Sequence, residues 1–462
     1  MKKISFGTIA ALLFALATGW NAAAQNANTS TNLPDWITRP LSLTDSLNLA
    51  LQQNATILKA RNDLEASHGV VVQTRAVALP QVQATGQYKD TDPHAIESIS
   101  GSGFSLTQPH QNWNAGVQIV QSIYEGGKLV AALRAAGVTK QQALAQFQTV
   151  IADTLLATRL AYYDVLLAAQ QITVHEASVN LLQKELEDQQ RRYNAGTVPH
   201  FNVLRAEVAV ANERPNLIQA RSNYRIAKNN LSNLLGYNLP REIWEDVPLN
   251  LTDALDAAPY QADLPAAIQQ ALSRRTELIA LRKTEELQQL NVVNAKAGYK
   301  PTVQVFAGYN WYNAQYTEPV ELDHDIHGWN AGGQLSWNIF DGMLTRGKVI
   351  QTKALHDKAK TDVIDTGRQI ELEVRTAYSQ FIEAREILES QQKVQEVADE
   401  ALREAGARAE AGTGTQLDVL DAQTSLTQAR TTEIQALHDY DTARARLERA
   451  IGADMMQPPA AK

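Results

Sequence analysis

Only a few side chains in this 462-residue chain are spaced to do chemistry. Asp418 and Asp421 lie three residues apart, on one face of any helix that contains them, just beyond a glycine-containing turn. Paired carboxylates of this kind serve acid–base or cation chemistry, but no nucleophile or cofactor motif accompanies them. Glu321, Asp323, His324, Asp325 and His327 have the composition of a metal site. Nothing in that run fixes a coordination geometry, so we read it as a solvated loop, with no metal and no cofactor. The chain has no Cys, which excludes zinc-thiolate centres and thiol nucleophiles, and it contains no HExxH, Walker A, GxSxG or dinucleotide fingerprint. These residues give no enzyme.

Charge and composition narrow the class further. Lys and Arg total 42 against 50 acids, a balance of −8 that becomes −10 once the leader with Lys2 and Lys3 is removed. Such an acidic chain is a poor partner for a phosphate backbone, so nucleic acid is excluded. The leader is residues 1–24: a basic start, an apolar run from Ile4 to Ala17, and Ala22-Ala23-Ala24 before Gln25. This is the pattern of a secretory signal peptide, and the run is shorter than the roughly 18 to 20 residues of a spanning helix. No later segment qualifies as a spanning helix either.

The exported chain is an internal duplication. Trp113-Asn114-Ala115-Gly116 recurs as Trp329-Asn330-Ala331-Gly332, an offset of 216 residues that also pairs Arg159 with Arg375, Gly196 with Gly412 and Gly236 with Gly452. Upstream the offset is 221, pairing Arg61 with Arg282 and Pro80 with Pro301, so the length difference falls in a tolerant segment between residues 88 and 113. We divide the chain into a first repeat, 25–236, a linker, 237–263, a second repeat, 264–452, and a tail, 453–462.

Each repeat reads helix, strand, strand, very long helix, tight turn, helix. No Pro occurs from His110 to Val198 or from Val320 to Gln457, which permits unbroken helices of about 70 residues, about 105 Å long. Ile370, Val374, Ala377, Phe381, Ala384 and Leu388 alternate four and three, the spacing of a coiled-coil seam, resumed at Ala398, Leu402 and Ala405. Pro215 predicts a kink or break in the last helix of the first repeat.

Four segments, at about 81–92, 112–122, 302–312 and 328–338, alternate with period two between an apolar and a polar, weakly charged face. Strands of about ten residues with these faces suit a transmembrane β-barrel, lipid outside and water inside. Four of the six tryptophans beyond the leader, Trp113, Trp311, Trp329 and Trp337, fall in these segments, where membrane-interface girdles would put them. Four strands cannot close a barrel, so several chains must pool theirs; the strands alone leave two, three or four copies open.

At this point the chain resembles the TolC-type outer membrane efflux proteins, over essentially all of its length after the leader. The resemblance rests on GTGTQLDVLDAQTSL from Gly412 to Leu426, its weaker copy AGTVPHFNVLRAE from Ala195 to Glu207, and the passages SIYEGGK and LSWNIFDG. It implies an α+β membrane protein, a trimer whose 12-stranded transmembrane β-barrel, four strands per chain, continues into a long periplasmic α-helical coiled-coil barrel, with 237–263 as part of an equatorial collar. It also implies an outer membrane location and a duct that passively conducts small molecules or proteins from an inner-membrane RND, ABC or MFS pump, reached through a periplasmic adaptor.

Residue by residue, the resemblance makes Asp418 and Asp421 the narrow periplasmic mouth, where six carboxylates around one axis would favour cations and crowding would raise some of their pKa values. It makes Gly196, Thr197, Gly412 and Thr413 the adaptor-docking tips. The family often closes its mouth with links from an Arg and a Tyr to an acid; by position these are Gly414, Ala409 and Asn202 here, and none matches. The alternative to a conduit is a trimeric coiled-coil envelope protein without a conducted substrate, which would need a filled helical core rather than a water-lined one.

Overall fold

The computed structural model describes residues 39–95, 99–101, 104–106, 109–237, 246–316 and 322–454; the 1–24 leader lies outside them. Its helices and strands are α1 (Leu43–Gln53), α2 (Ala55–Ala76), β1 (Gln81–Asp90), β2 (Ile99–Gly101), β3 (Phe104–Leu106), β4 (Gln111–Glu125), α3 (Lys128–Asn194), α4 (His200–Leu234), α5 (Leu264–Arg274), α6 (Thr276–Lys296), β5 (Thr302–Tyr316), β6 (Leu322–Ser336), α7 (Leu344–Glu410) and α8 (Gln416–Ile451). The two long helices, α3 and α7, are 67 residues each, about 100 Å at 1.5 Å per residue.

Capping explains where the shorter helices start. Ser42 and Asp45 form a reciprocal capping box before α1, and Asp263 accepts from the Ala266 amide at 3.2 Å before α5. The last helix of each repeat then abuts the break between its first two. Asn54 Nδ2 donates to the Leu234 carbonyl at 2.7 Å, and Arg275 Nη1 donates to the Ala450 carbonyl at 3.3 Å. Asn54 and Arg275 are equivalent at the 221 offset, and Leu234 and Ala450 at the 216 offset. The duplication therefore uses different donors to close the same joint, and the two shorter helices, joined there, line the length of the long one.

The seam from Ile370 to Leu388 is buried at all six positions, packed with Tyr440, Leu447 and Ile451 of α8, while Ala398, Leu402 and Ala405 are half-buried. Phe381 is the largest apolar side chain there, ringed by Tyr260 at 5.7 Å and Tyr440 at 5.3 Å between centroids. A second core joins α1, α3 and α4 through Leu47, Leu155, Tyr162, Val165 and Leu231, closed by Val247 and Leu249 of the linker. The linker is strapped on by Leu41, whose amide donates to Asn250 and whose carbonyl accepts from Thr252, at 2.8 and 3.1 Å. The break expected at Pro215 does not occur: α4 runs through it. Pro215 and Ala211, the residue four earlier whose carbonyl loses its partner, are both exposed, so water can take the missing bond.

The sheet has the order β1-β4-β5-β6, antiparallel throughout, so β1 and β6 each leave one edge unpaired. Two expectations need correction. β6 begins at Leu322, six residues before the apolar alternation becomes readable, because β5 extends to Tyr316 and pairs it all the way. Asp323, His324, Asp325 and His327 are therefore strand residues rather than a loop. Trp337 lies one residue past β6, its Nε1 donating to the Tyr299 carbonyl at 3.2 Å. Between β1 and β4, where the offset changes, β2 and β3 form a small hairpin of their own.

Candidate conduit: barrel face, tunnel wall and periplasmic mouth

The strand register sorts side chains onto two faces. Ala84, Val117 and Tyr309 are paired across three strands and carry the apolar face, with Ala115, Trp311 and Val305 on the same side. Gln83, Gln118, Gln304, Asn310 and Asn330 carry the polar one. Val120 departs from the pattern but is not isolated. It faces Phe306, which in turn faces Gly332, where a Cβ would stand 2.9 Å from the ring. The glycine makes room for one apolar pair on a polar face.

The register spreads the aromatics along the strands. Trp113 is two residues from the end of β4 remote from the long helices, Trp311 is five from that end of β5, Trp329 is at the middle of β6, and Trp337 is at the helix end. Trp329 and Trp337 are eight residues apart, about 27 Å along a strand at 3.4 Å per residue, which a 40° tilt reduces to about 20 Å. All four are exposed in the single chain, Trp329 by 79%.

Beyond the strands the helices form a wall one helix thick. Near the strands its order is α2-α3-α6-α7; near the turns it is α4-α3-α8-α7. The outermost helices of the lower half both turn an apolar face away from the chain. Ile350, Ile364, Leu372, Ile387, Val394 and Val397 are exposed on α7, and at 100° per residue they share a sector about 140° wide opposite the buried seam. Phe201, Leu204, Val208, Ile218 and Ile226 do the same on α4. Unpaired strand edges and unpaired apolar helix faces thus occur at both sides of the same wall. Each needs a neighbour that presents the complementary side.

At the far ends of the long helices the two turns have the same backbone. Gly196 and Gly412 have φ values of 74° and 73°, and the next amides, of Thr197 and Thr413, reach back to Arg192 and Arg408, each at 2.9 Å. This is a glycine C-cap, and no other atom crowds either glycine, so its requirement is conformational. All four residues are exposed. Asp418 and Asp421 are exposed just beyond, but Asp418 also caps α8: its carboxylate accepts from the Thr415 amide at 2.9 Å, and Thr415 Oγ1 accepts from the Asp418 amide at 3.2 Å. The hydrogen bonds to Thr415, backbone first, hold the Asp418 carboxyl below its usual pKa, opposite in direction to the crowding effect expected of a ring. The sequence motif did not reveal this capping role.

The links between the hairpins near the tips also differ from the family's. Gln416 Nε2 donates to the Asn202 carbonyl at 3.3 Å, Thr427 Oγ1 to Ser178 Oγ at 3.1 Å, and Leu182, Val210 and Leu420 form a small apolar cluster. Of the metal-like run, Glu321 lies outside the described residues. Asp323 accepts from Asn313 at 2.6 Å and His327 Nδ1 pairs with the Tyr309 hydroxyl at 2.9 Å; among the described residues no group of three or more His, Asp or Glu side chains is arranged to hold a metal ion.

Sequence reading missed one cluster entirely, a belt of buried charge where α3 meets α8. Arg159, 1% exposed, donates to Glu448 at 2.6 Å and to Tyr163 at 2.9 Å, and Arg444 donates to the other Glu448 oxygen at 2.9 Å. Arg449 pairs with Asp153 at 2.7 Å and with Glu277, which also holds Arg275. His438 is gripped between Asp164 at 2.9 Å and Asp439 at 3.1 Å. Burial works against its charged form, but the two carboxylates prevail and raise its pKa. Burial pushes the Asp441 carboxyl up to about 7. The recurrence of Arg159 as Arg375 was the available signal, yet Arg375 makes only a surface pair with Glu371.

A four-stranded sheet with open edges, continuous with a one-helix-thick wall, defines an envelope channel subunit: copies must join to close both barrel and tunnel. The outer membrane efflux protein profile matches residues 46–237 and 267–453, one match per repeat, and the chain belongs to that family. It is similar to the outer membrane protein TolC of Escherichia coli (strain K12), 23% identical over 89% of this chain and 83% of that one. It is also similar to the cobalt-zinc-cadmium resistance protein CzcC of Cupriavidus metallidurans, 24% identical over 94% and 96%. Among solved structures, the outer-membrane channel OprN superposes with a TM-score of 0.73 at 19% identity, covering 90% of this chain and 91% of that one. The protein is a trimeric outer-membrane exit duct with a long periplasmic extension, and it works with a periplasmic adaptor and an inner-membrane pump. Its family is one of ducts rather than of enzymes.

Proposed function

We propose that substrate enters at the two hairpin tips, passes along the water-filled face of the wall and leaves through the polar face of the barrel, with Asp418 and Asp421 as the entry constriction. The observation that carries this reading is the placement of both acids, exposed, at the one end of the long helices remote from the strands. Around a threefold axis they give a ring of six carboxylates that admits cations ahead of anions. Trp113, Trp311 and Trp329, from mid-strand toward the remote ends, mark one membrane interface, and Trp337 at the helix end marks the other.

Gly196, Thr197, Gly412 and Thr413 form the docking surface for the adaptor. Opening is a population shift in which adaptor contact favours a splayed arrangement over one joined by Gln416, Asn202 and the Leu182–Leu420 cluster. The pump supplies the energy, and we assign the duct no catalytic step. Removing Gly412 to Thr415 should abolish co-purification with the adaptor while the trimer persists. Undiminished adaptor binding and export in that variant would rule out docking at the tips.

A further inference from the structure

At the other end of the tunnel, where strands give way to helices, lies a cleft of about 680 Å³ between the strand ends and helices α3, α6 and α7. Lys128, Lys300 and Lys348 line it, and its only carboxylate is Glu125, 3.6 Å from Lys128. Lys300 and Lys348 are exposed, and among the described residues neither has an ion-pair partner. The rest of the lining is mainly amide and hydroxyl side chains. The α3 helix also begins at Lys128 without a side-chain cap, so the positive end of its dipole adds to the same field.

The strand register tells which side of the wall the cleft opens on. Glu125, Thr302 and Ser336 are directly paired across three strands on the polar face, and all three line the cleft. Their neighbours on the apolar face, Tyr124, Val303 and Leu335, do not. The opening is thus on the side away from lipid. On the reading given under the proposed function, in which the polar face is the water-filled interior, it opens into the conduit.

We propose that this cleft is an oxyanion site on the conduit wall, taking the carboxylate or phosphate groups of solutes in transit. Three copies set nine lysines against three glutamates around the axis, a cationic belt at the base of the barrel. The acidic mouth and this belt act in opposite senses along one path. Ion preference is therefore set at two levels.

Citrate is a suitable probe, added to the purified full-length trimer in a planar bilayer. Wild type should show a citrate-dependent reduction of single-channel current. The Lys128→Gln, Lys300→Gln, Lys348→Gln variant should need at least about tenfold more citrate for half-block, a change of about 1.4 kcal/mol, and the corresponding triple Arg variant should keep the block. Raising KCl from 0.1 to 1 M, which shortens the Debye length from about 10 to 3 Å, should weaken it. Equal block of wild type and the Gln variant would overturn the site. Calorimetric titration of citrate into the detergent-solubilised trimer needs no current: saturable binding that the Gln variant loses supports the site even if no channel opens, which would refute the conduit alone. No binding to wild type overturns the site even if the channel conducts.

Discussion

Replacing Leu372 by Ser separates the contacts within a chain from those between chains. Leu372 lies on α7 opposite the buried seam and is 65% exposed in the single subunit. Within that subunit its loss should change folding stability by less than about 0.5 kcal/mol. If α7 is an outer helix of a closing wall, the exposed two-thirds is buried on assembly. Fully burying a leucine is worth about 1.5–3 kcal/mol, so each interface loses about 1–2 kcal/mol, and a trimer with three such interfaces about 3–6 kcal/mol. That corresponds to a dissociation constant for the trimer raised by about two to four orders of magnitude. Mass photometry of the detergent-solubilised protein over a dilution series measures it directly. A dissociation midpoint equal to wild type would show that this face meets no neighbour, and the assignment of α7 to the edge of the wall would be wrong.

Phe381→Ala should act within the subunit. Phe381 is 1% exposed between Tyr260 and Tyr440, and its truncation should cost about 3–5 kcal/mol, read as a lowered unfolding midpoint in denaturant. Glu448→Gln removes the charge shared by Arg159 and Arg444 and should destabilise by about 3–5 kcal/mol, with most of the loss recovered when Arg159 is replaced by Met in the same chain. Asp441 is held protonated up to about pH 7 in the fold but ionises near 3.8 when unfolded, so the native state binds the extra proton between those values and stability falls as pH rises through that window. His438 acts in the same direction: its raised pKa gives a contribution complete below about 6.5 and lost as pH climbs through the folded value. The melting temperature should therefore drop from pH 5 to pH 8, and Asp441→Asn should flatten the profile; a slope unchanged by that substitution would clear Asp441 of responsibility.

Where the sequence carried a period, the architecture was legible. Six seam residues at four-three spacing lie in one core, the 67-residue helices fit inside the proline-free stretches, and the sheet follows the alternation. The alternation stopped short at β6 because Asp323 to His327 continue the strand where no apolar face is needed, and backbone pairing with β5 leaves no hydropathy signal. The helix does not break at Pro215 because a proline on an exposed helix face sacrifices only a carbonyl that water can serve. The charge belt of Arg159, Glu448 and Arg449 was hidden for another reason: its members are up to 296 residues apart and come together only through packing of α3 on α8. The acids at the mouth were visible as a motif, but not that one of them, Asp418, is already engaged as a helix cap.

Single-channel recording of the purified trimer across a tenfold KCl gradient tests the conduit and its acidic mouth together. Discrete steps are expected, with a reversal potential displaced toward that of potassium, whose ideal limit is about 59 mV, and displaced less in the Asp418→Asn, Asp421→Asn variant. Discrete steps with the same reversal potential in wild type and variant would remove the mouth from the account. The absence of steps, even after deletion of Gly412 to Thr415 loosens the tips, would contradict a water-lined conduit.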